Sequence, residues 1–420
     1  MAVFSIHGDI IWSERFGSFK TAENSYLTVV DGKIDSVSAE KPACEVIDAR
    51  GSLVIPGLSD LHLHAPQYAF CGLYMDEELL DWLNNHTFPE EGKYGNMEYA
   101  DRAYSKFVRD LLKGPDTRVS VFATIHRESS LMLMRKLEEV GFSGYVGKVN
   151  MDRNSPPYLT EKTEASLSET ERFIEDAEVF REIRPIVTPR FIPSCTDELM
   201  KGLAAIAEKY SLPLQSHLDE NLSEIEWVRE LCPSSISYAD AYDRFGMLSS
   251  KSIMAHCVYL DDDEIALMAK RGAFVAHAPS SNANLSSGIA PVRKYLDAGL
   301  NVGLASDVSG GSSLSMFRII QDAIAVSKLL WRLKEGSGKP LTFAEAFYLA
   351  TKGGGSFFGK TGSFEPGYDA DIVILSDEEN ASVLRPELSV EERLEYYVYA
   401  DSERPVKAKY IKGRKVFQEA

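Results

Sequence analysis

Long hydrophobic runs are missing from this 420-residue sequence. None approaches the ~20 consecutive apolar residues that a helix needs to cross a bilayer, which argues against a membrane role. Cysteine is scarce. The five thiols, Cys44, Cys71, Cys195, Cys232 and Cys257, are odd in number, far apart and without a Cys-x-x-Cys pair. Neither a disulfide framework nor a thiolate zinc site is indicated, and reduced, mostly packed thiols are expected. Positive charge is in deficit, with 45 Lys and Arg against 63 Asp and Glu for a formal net charge of −18. That balance works against a nucleic-acid partner, whose phosphates must be met by cations, but leaves an uncharged small molecule as a possible substrate. Residues 1–12 lack the basic start, apolar middle and small-residue cleavage site of a secretory signal, so a cytoplasmic location is expected. Internal repeats and low-complexity tracts are also lacking. Acidic residues gather in Asp76–Glu91 and Asp377–Glu392, and both runs read as solvated faces.

What the sequence does contain is a rhythm. Between residue 54 and about residue 355, short apolar runs alternate with amphipathic stretches, as repeated βα units do around a parallel sheet. The runs include 119–125, 144–149, 185–188, 214–216, 252–255, 274–276 and 302–305. Between them, stretches such as 197–209 and 261–271 place apolar residues three and four apart and read as covering helices. A closed eight-stranded (β/α)8 barrel uses all of these runs, and the length suits a barrel of ~250 residues with an added module. The termini differ. Residues 25–38 alternate around the Asp31-Gly32 turn, and 370–375 and 407–417 supply further strands, the last pair split at Lys412-Gly413. The expected organisation is a (β/α)8 barrel over 55–363 and a small β-sandwich domain built from 1–54 plus 364–420. The acidic, aromatic stretch 72–96 follows the first barrel strand and reads equally as a surface excursion or a substrate lid.

The strongest local signal is Pro56-Gly57-Leu58-Ser59-Asp60-Leu61-His62-Leu63-His64. A strand alternates its faces, so His62 and His64 point the same way and make half of a metal site. His217 ends the apolar run from Leu214, His256 ends the run from Ile253, and Asp307 ends the run from Val302. In (β/α)8 enzymes the C-terminal strand ends converge on one face, where the chemistry is done. Five metal-capable residues at such positions are hard to explain as core histidines.

The His-x-His on the first strand, single histidines on the fifth and sixth and an Asp on the eighth resemble the mononuclear aminohydrolases of the amidohydrolase superfamily over nearly the whole chain. Finer motifs resemble the guanine-deaminating branch: His64-Ala65-Pro66-Gln67-Tyr68, Val187-Thr188-Pro189-Arg190-Phe191, Ser216-His217-Leu218-Asp219-Glu220 and Ser306-Asp307-Val308-Ser309-Gly310-Gly311. The tail Pro366-Gly367-Tyr368-Asp369-Ala370-Asp371 is similar to that superfamily's return into its β domain. The resemblance implies His62, His64, His217 and Asp307 as ligands of one zinc ion per subunit, with iron as a substitute metal. It places His256 beside the metal, or as a fifth, weaker ligand. It implies hydrolysis of guanine to xanthine and ammonia, with Glu220, His256 and Asp307 moving protons and Gln67, Arg190, Phe191, His217, Glu220 and Asp307 meeting the substrate. It also implies a homodimer. Two alternatives remain open: a deaminase of another purine or of a triazine, and a metal-free scaffold relative. Lys148 reads as structural or as a charge partner, and His7, His86, His126 and His277 carry no assigned role. His126-Arg127-Glu128 matches half of a different deaminase signature, but its Pro-Cys-x-x-Cys half is absent.

Overall fold

The computed structural model describes residues 3–376, 384, 387–400 and 402–419. Most of the acidic run Asp377–Glu392 lies outside the described residues.

Eight short parallel strands form the centre: β1 Leu58–His64, β2 Asp116–Phe122, β3 Ser143–Gly147, β4 Ile183–Pro185, β5 Leu214–Leu218, β6 Ser252–His256, β7 Phe274–His277 and β8 Asn301–Leu304. They pair in sequence order as two four-stranded sheets. A parallel bridge from Val187 to Leu214 joins the halves on one side. On the other, Asp307 N donates to His62 O at 2.9 Å and His64 N donates to Val308 O at 2.9 Å, so no edge is left open. This is a TIM-barrel-like α/β fold. Its strands are buried on both faces, as expected where helices cover a parallel sheet.

The helices start and stop where their sequences dictate. Asp262–Arg271 opens with an Asp261–Glu264 capping box and ends on Gly272 in the left-handed conformation; Thr196 caps Asp197–Tyr210 by accepting from Leu199 N. The insertion after β1 becomes a series of short helical turns from Leu79–Trp82 to Gly92–Gly95.

Both termini contribute to one further sheet of seven strands, in spatial order Arg414–Gln418, Ala408–Ile411, Ile372–Ser376, Glu45–Pro56, Val3–Arg15, Ser18–Val30 and Lys33–Ser38. A flat sheet with two open edges is not what the remaining hydrogen bonds describe. The sheet instead folds back on itself: Lys33 bridges Asp369, and Ala370 N donates to Gly32 O at 2.9 Å. Two of its strands serve two cores at once. In Glu45–Pro56, Leu53 and Ile55 join the barrel core while Val54 joins the terminal core; in Ile372–Ser376, Val373 and Leu375 face the barrel and Ile372 and Ile374 do not. Period-two alternation makes that double duty possible. Arg118 on β2, buried, adds a polar tie by reaching Asp369 and Asp371 at 2.8 Å each.

Candidate active site

Side chains on β1 alternate as the sequence requires. Leu61 and Leu63 pack in apolar clusters, while Asp60, His62 and His64 occupy the other face. Beneath the histidines lies a polar layer inside the barrel. Ser120 donates to Gln215 Oε1 at 2.8 Å, Gln215 Nε2 donates to Thr188 Oγ1 at 3.0 Å, and Asp60 accepts from Ser306 N at 3.0 Å and from the Ser306 hydroxyl. Each buried polar group in this layer thereby finds a partner, which holds the strand ends in register.

His62, His64, His217, Glu220, His256 and Asp307 meet at the C-terminal mouth of the barrel, all buried. His64 Nε2 and His217 Nε2 face each other at 3.1 Å, and His62 Nε2 lies 3.0 Å from Asp307 Oδ1. His256 Nε2 is 3.8 Å from Asp307 Oδ2 and 3.4 Å from Glu220 Oε2. Two groups of candidate ligand atoms, His62–His64–His217 and His62–His256–Asp307, each lie within 4.8 Å of one another. Both ring nitrogens of His62, and Nδ1 of His64, are buried without a hydrogen-bond partner. His62 Nε2 is close to Asp307 but not aligned as a hydrogen bond. Converging imidazole nitrogens that leave one another unsatisfied fit a cation among them, and the mixed nitrogen and oxygen donor set suits a divalent metal.

Neighbouring groups orient these rings. His217 Nδ1 donates to Arg190 O at 2.6 Å and His256 Nδ1 donates to Asn282 Oδ1 at 2.9 Å, which leaves Nε2 of each ring with a free lone pair aimed into the site. Gly310 keeps the space beside the carboxylate open, because a Cβ there would meet Asp307 Oδ2 at 3.0 Å and Ser281 Oγ closer still. His256 and Asp307 hold left-handed backbone angles, φ 72° and 43°. Such strain costs roughly 1–3 kcal/mol per residue and is tolerated where the surroundings over-determine the geometry.

Electrostatics separate the two carboxyl groups. Burial pushes Asp307 up, but the His62 imidazole beside it, then His256, pull it down to about 2. Glu220 is held well above the ordinary carboxylate range by burial, then by the Asp307 and Glu224 charges. Burial also holds His62 below its usual value, and His64 and His217 well below, which favours the uncharged imidazole that can ligate.

A pocket opens onto this cluster. Every residue to which the sequence reading gave a metal, proton or substrate role lines it except His62, which is fully buried. Leu79, Trp82, Leu83, Phe191 and Leu285 form its apolar walls. The first three come from the insertion after β1, so that segment covers the site rather than wandering over the surface. Arg190 and Gln67 supply the polar wall, and both are tied to Glu91: Arg190 Nη1 donates to Glu91 Oε2 at 2.7 Å and Gln67 Nε2 to Glu91 Oε1 at 3.0 Å. Glu91 is the main correction to the sequence reading. It belongs to an acidic run expected to be a solvated face, yet its side chain is 1% exposed. The signal that could have found it was the apolar content of the same run, Trp82 and Phe88, which a solvated face does not need. Asn282 had no such signal. Lys148 is a charge partner, with Nζ 2.9 Å from both Glu161 oxygens. His7 stacks on Tyr26 and His86 on Tyr74, away from the cluster.

Comparison with known proteins bears on the same residues. Residues 53–416 match the model of the Amidohydrolase family. Guanine deaminase of Dictyostelium discoideum is 40% identical over 378 residues, 88% of this chain and 84% of that protein. The guanine deaminase of Homo sapiens is 38% identical over 387 residues, 89% of this chain and 85% of its own. Among solved structures, guanine deaminase from C. acetobutylicum with bound guanine in its active site has a TM-score of 0.96 at 44% identity, covering 99% of this chain and 100% of that one. The matched residues take in the barrel, all the strand ends that build the pocket and part of the terminal sheet, and the chain belongs to the amidohydrolase family.

Proposed function

We propose that this protein hydrolyses guanine to xanthine and ammonia. One observation carries the reading: a single pocket places a converging His–Asp cluster at one end and the Arg190 guanidinium in its wall. Guanine presents O6 and N7 as a double acceptor edge that such a fork meets bidentately, whereas adenine offers a donor at N6. The resemblance to guanine deaminases, including one with guanine bound, supports the same substrate.

His62, His64, His217 and Asp307 would hold the metal, which we take to be zinc. When bound, it supplies Lewis acidity sufficient to bring the pKa of water down to ~7. Asp307, with His256 beside it, accepts the proton of the water that adds to C2 of guanine. Glu220, whose environment favours its protonated form, delivers its proton to N3, takes up the proton of the added C2 hydroxyl as the carbonyl forms and passes it to the departing amine; the proton held by Asp307 then reloads Glu220, so that water and guanine become xanthine and ammonia. Arg190 and Gln67 orient the base, Phe191 forms a wall beside His217, and the insertion's Leu79, Trp82 and Leu83 exclude water. We divide the chain into a barrel, 55–363, and a composite β domain, 1–54 plus 364–420. The fold-back at Lys33–Asp369 supports reading the latter as a small sandwich. A homodimer in the cytoplasm is the expected working form, on family resemblance and the sequence alone.

The test is an assay of ammonia and xanthine release from guanine by purified protein whose metal content is measured, run beside adenine, adenosine and triazine substrates. Preference for an adenine or triazine compound would overturn the substrate; full activity without metal would overturn the ligand set.

A further inference from the structure

Glu91 is enclosed and belongs to the short turn Phe88–Glu91 in the insertion after β1, outside the His–Asp cluster and the barrel strands in sequence. Its two oxygens are divided between the two polar side chains of the pocket wall, Arg190 at 2.7 Å and Gln67 at 3.0 Å. A carboxylate only accepts hydrogen bonds, so Gln67 must turn its amide NH2 toward Glu91. The amide oxygen is then left to accept from Ser309 N at 3.4 Å. Arg190 is likewise constrained, with Nη1 committed to Glu91 and its guanidinium carbon 5.1 Å from the centre of the Phe88 ring. Both contacts come from the same helical turn.

Charge leads to the same residue. The Arg190 and Glu91 side chains are 3% and 1% exposed, so water does not screen them. Alone, a buried guanidinium would draw an anion into the pocket; paired, it remains a hydrogen-bond donor with its charge cancelled. Guanine is neutral at neutral pH. Xanthine, with a carbonyl in place of the amine, is the stronger acid and the more readily anionic of the two.

We propose that Glu91 is a positioning and specificity-determining residue, which fixes the orientations of Arg190 and Gln67 and neutralises Arg190 so that the pocket favours a neutral purine over an anionic one. This rests on the guanine-deaminase reading above.

The test uses full-length, metal-loaded protein and two variants. Glu91→Gln keeps the shape and removes the charge. KM for guanine is expected to rise ~10-fold or more with kcat within ~threefold of the parent, and inhibition by xanthine to tighten. Glu91→Asp keeps the charge and shortens the reach, so KM should rise without tighter xanthine inhibition. Metal content and melting temperature are measured alongside. A parent protein that releases no ammonia from guanine overturns the functional reading. An active parent whose Glu91→Gln variant shows unchanged KM and unchanged xanthine inhibition overturns this inference alone. So do variants in which metal and kcat are lost together, which would assign Glu91 a merely structural part. Should Glu91→Gln fail to fold, the KM and xanthine values of Glu91→Asp decide.

Discussion

Replacing Glu220 by Gln removes a proton carrier without removing volume. The carboxyl is buried, 3.4 Å from His256 Nε2, with Ser287 Oγ 3.5 Å from its other oxygen. A hydroxyl at that distance is a weak partner, and Asp307, held near 2, is poorly suited to donate a proton. Neither Ser287 nor Asp307 is therefore a ready substitute in the donation to N3. A positioned acid–base residue contributes ~10²–10⁴ in rate, which corresponds to ~2.7–5.5 kcal/mol of barrier at 1.36 kcal/mol per tenfold. Stability should move the other way. Burial and the Asp307 and Glu224 charges disfavour the ionised form, and Gln carries no charge to repel. The expected variant keeps its metal, melts no lower than the parent and loses kcat by ~10² or more. Ammonia release at saturating guanine, metal analysis and a thermal melt are sufficient to check this. A kcat within ~threefold of the parent, with metal retained, would refute the assignment of the proton transfer to Glu220.

His217→Ala deletes a ring whose Nε2 lies 3.1 Å from that of His64, and should lower metal content and activity together; near-normal turnover would remove His217 from the ligand set. Arg190→Ala should leave metal content unchanged while kcat/KM for guanine falls ~10² or more, because the purine edge loses its fork and Glu91 loses its cation. Unaltered kcat/KM would place base recognition elsewhere. Burial, with His256 nearby, lowers the His277 imidazole from 6.5 to about 3. Between those values the unfolded chain binds a proton that the folded chain refuses, so stability falls as pH falls, by up to ~1.4 kcal/mol per pH unit. His277→Leu should flatten that slope in urea unfolding compared at pH 7 and pH 5, and parallel slopes for parent and variant would show that other groups carry it.

The local part of the site was legible because a strand's two-residue period is a property of the chain itself. His62 and His64 share a face in any β1 that forms, and His217, His256 and Asp307 each stand where an apolar run stops. The βα rhythm was legible for the same reason, as were the helices from 197 and 261, whose caps are encoded within a few residues. Strand boundaries were less so. The run expected at 119–125 pairs as Asp116–Phe122, because register follows the neighbouring strands rather than the apolar residues alone. The long strands Val3–Arg15 and Glu45–Pro56 were not singled out. Their pattern is blurred because Glu45–Pro56 buries side chains on both faces, one set in each core.

Glu91 marks where local reading ends. Resemblance to a known family singled out Gln67, Arg190, Phe191 and Glu220; residue chemistry, spacing and strand alternation were enough to expect a barrel with metal-capable residues at its mouth. They could not show that a glutamate 99 positions before Arg190 is its buried counter-ion. An acidic side chain reads as solvated unless its partner is known, and that partner is brought to it by barrel closure and by the folding of the insertion over the mouth. The same holds for Asn282 on His256 and for the Arg190 carbonyl on His217, 27 residues apart in sequence. Which groups can carry metal and protons was written in the chain. Which nitrogen faces the metal, which carboxyl keeps its proton and which charge is cancelled depend on distances of about 3 Å between segments remote in sequence, and on the exclusion of water between them.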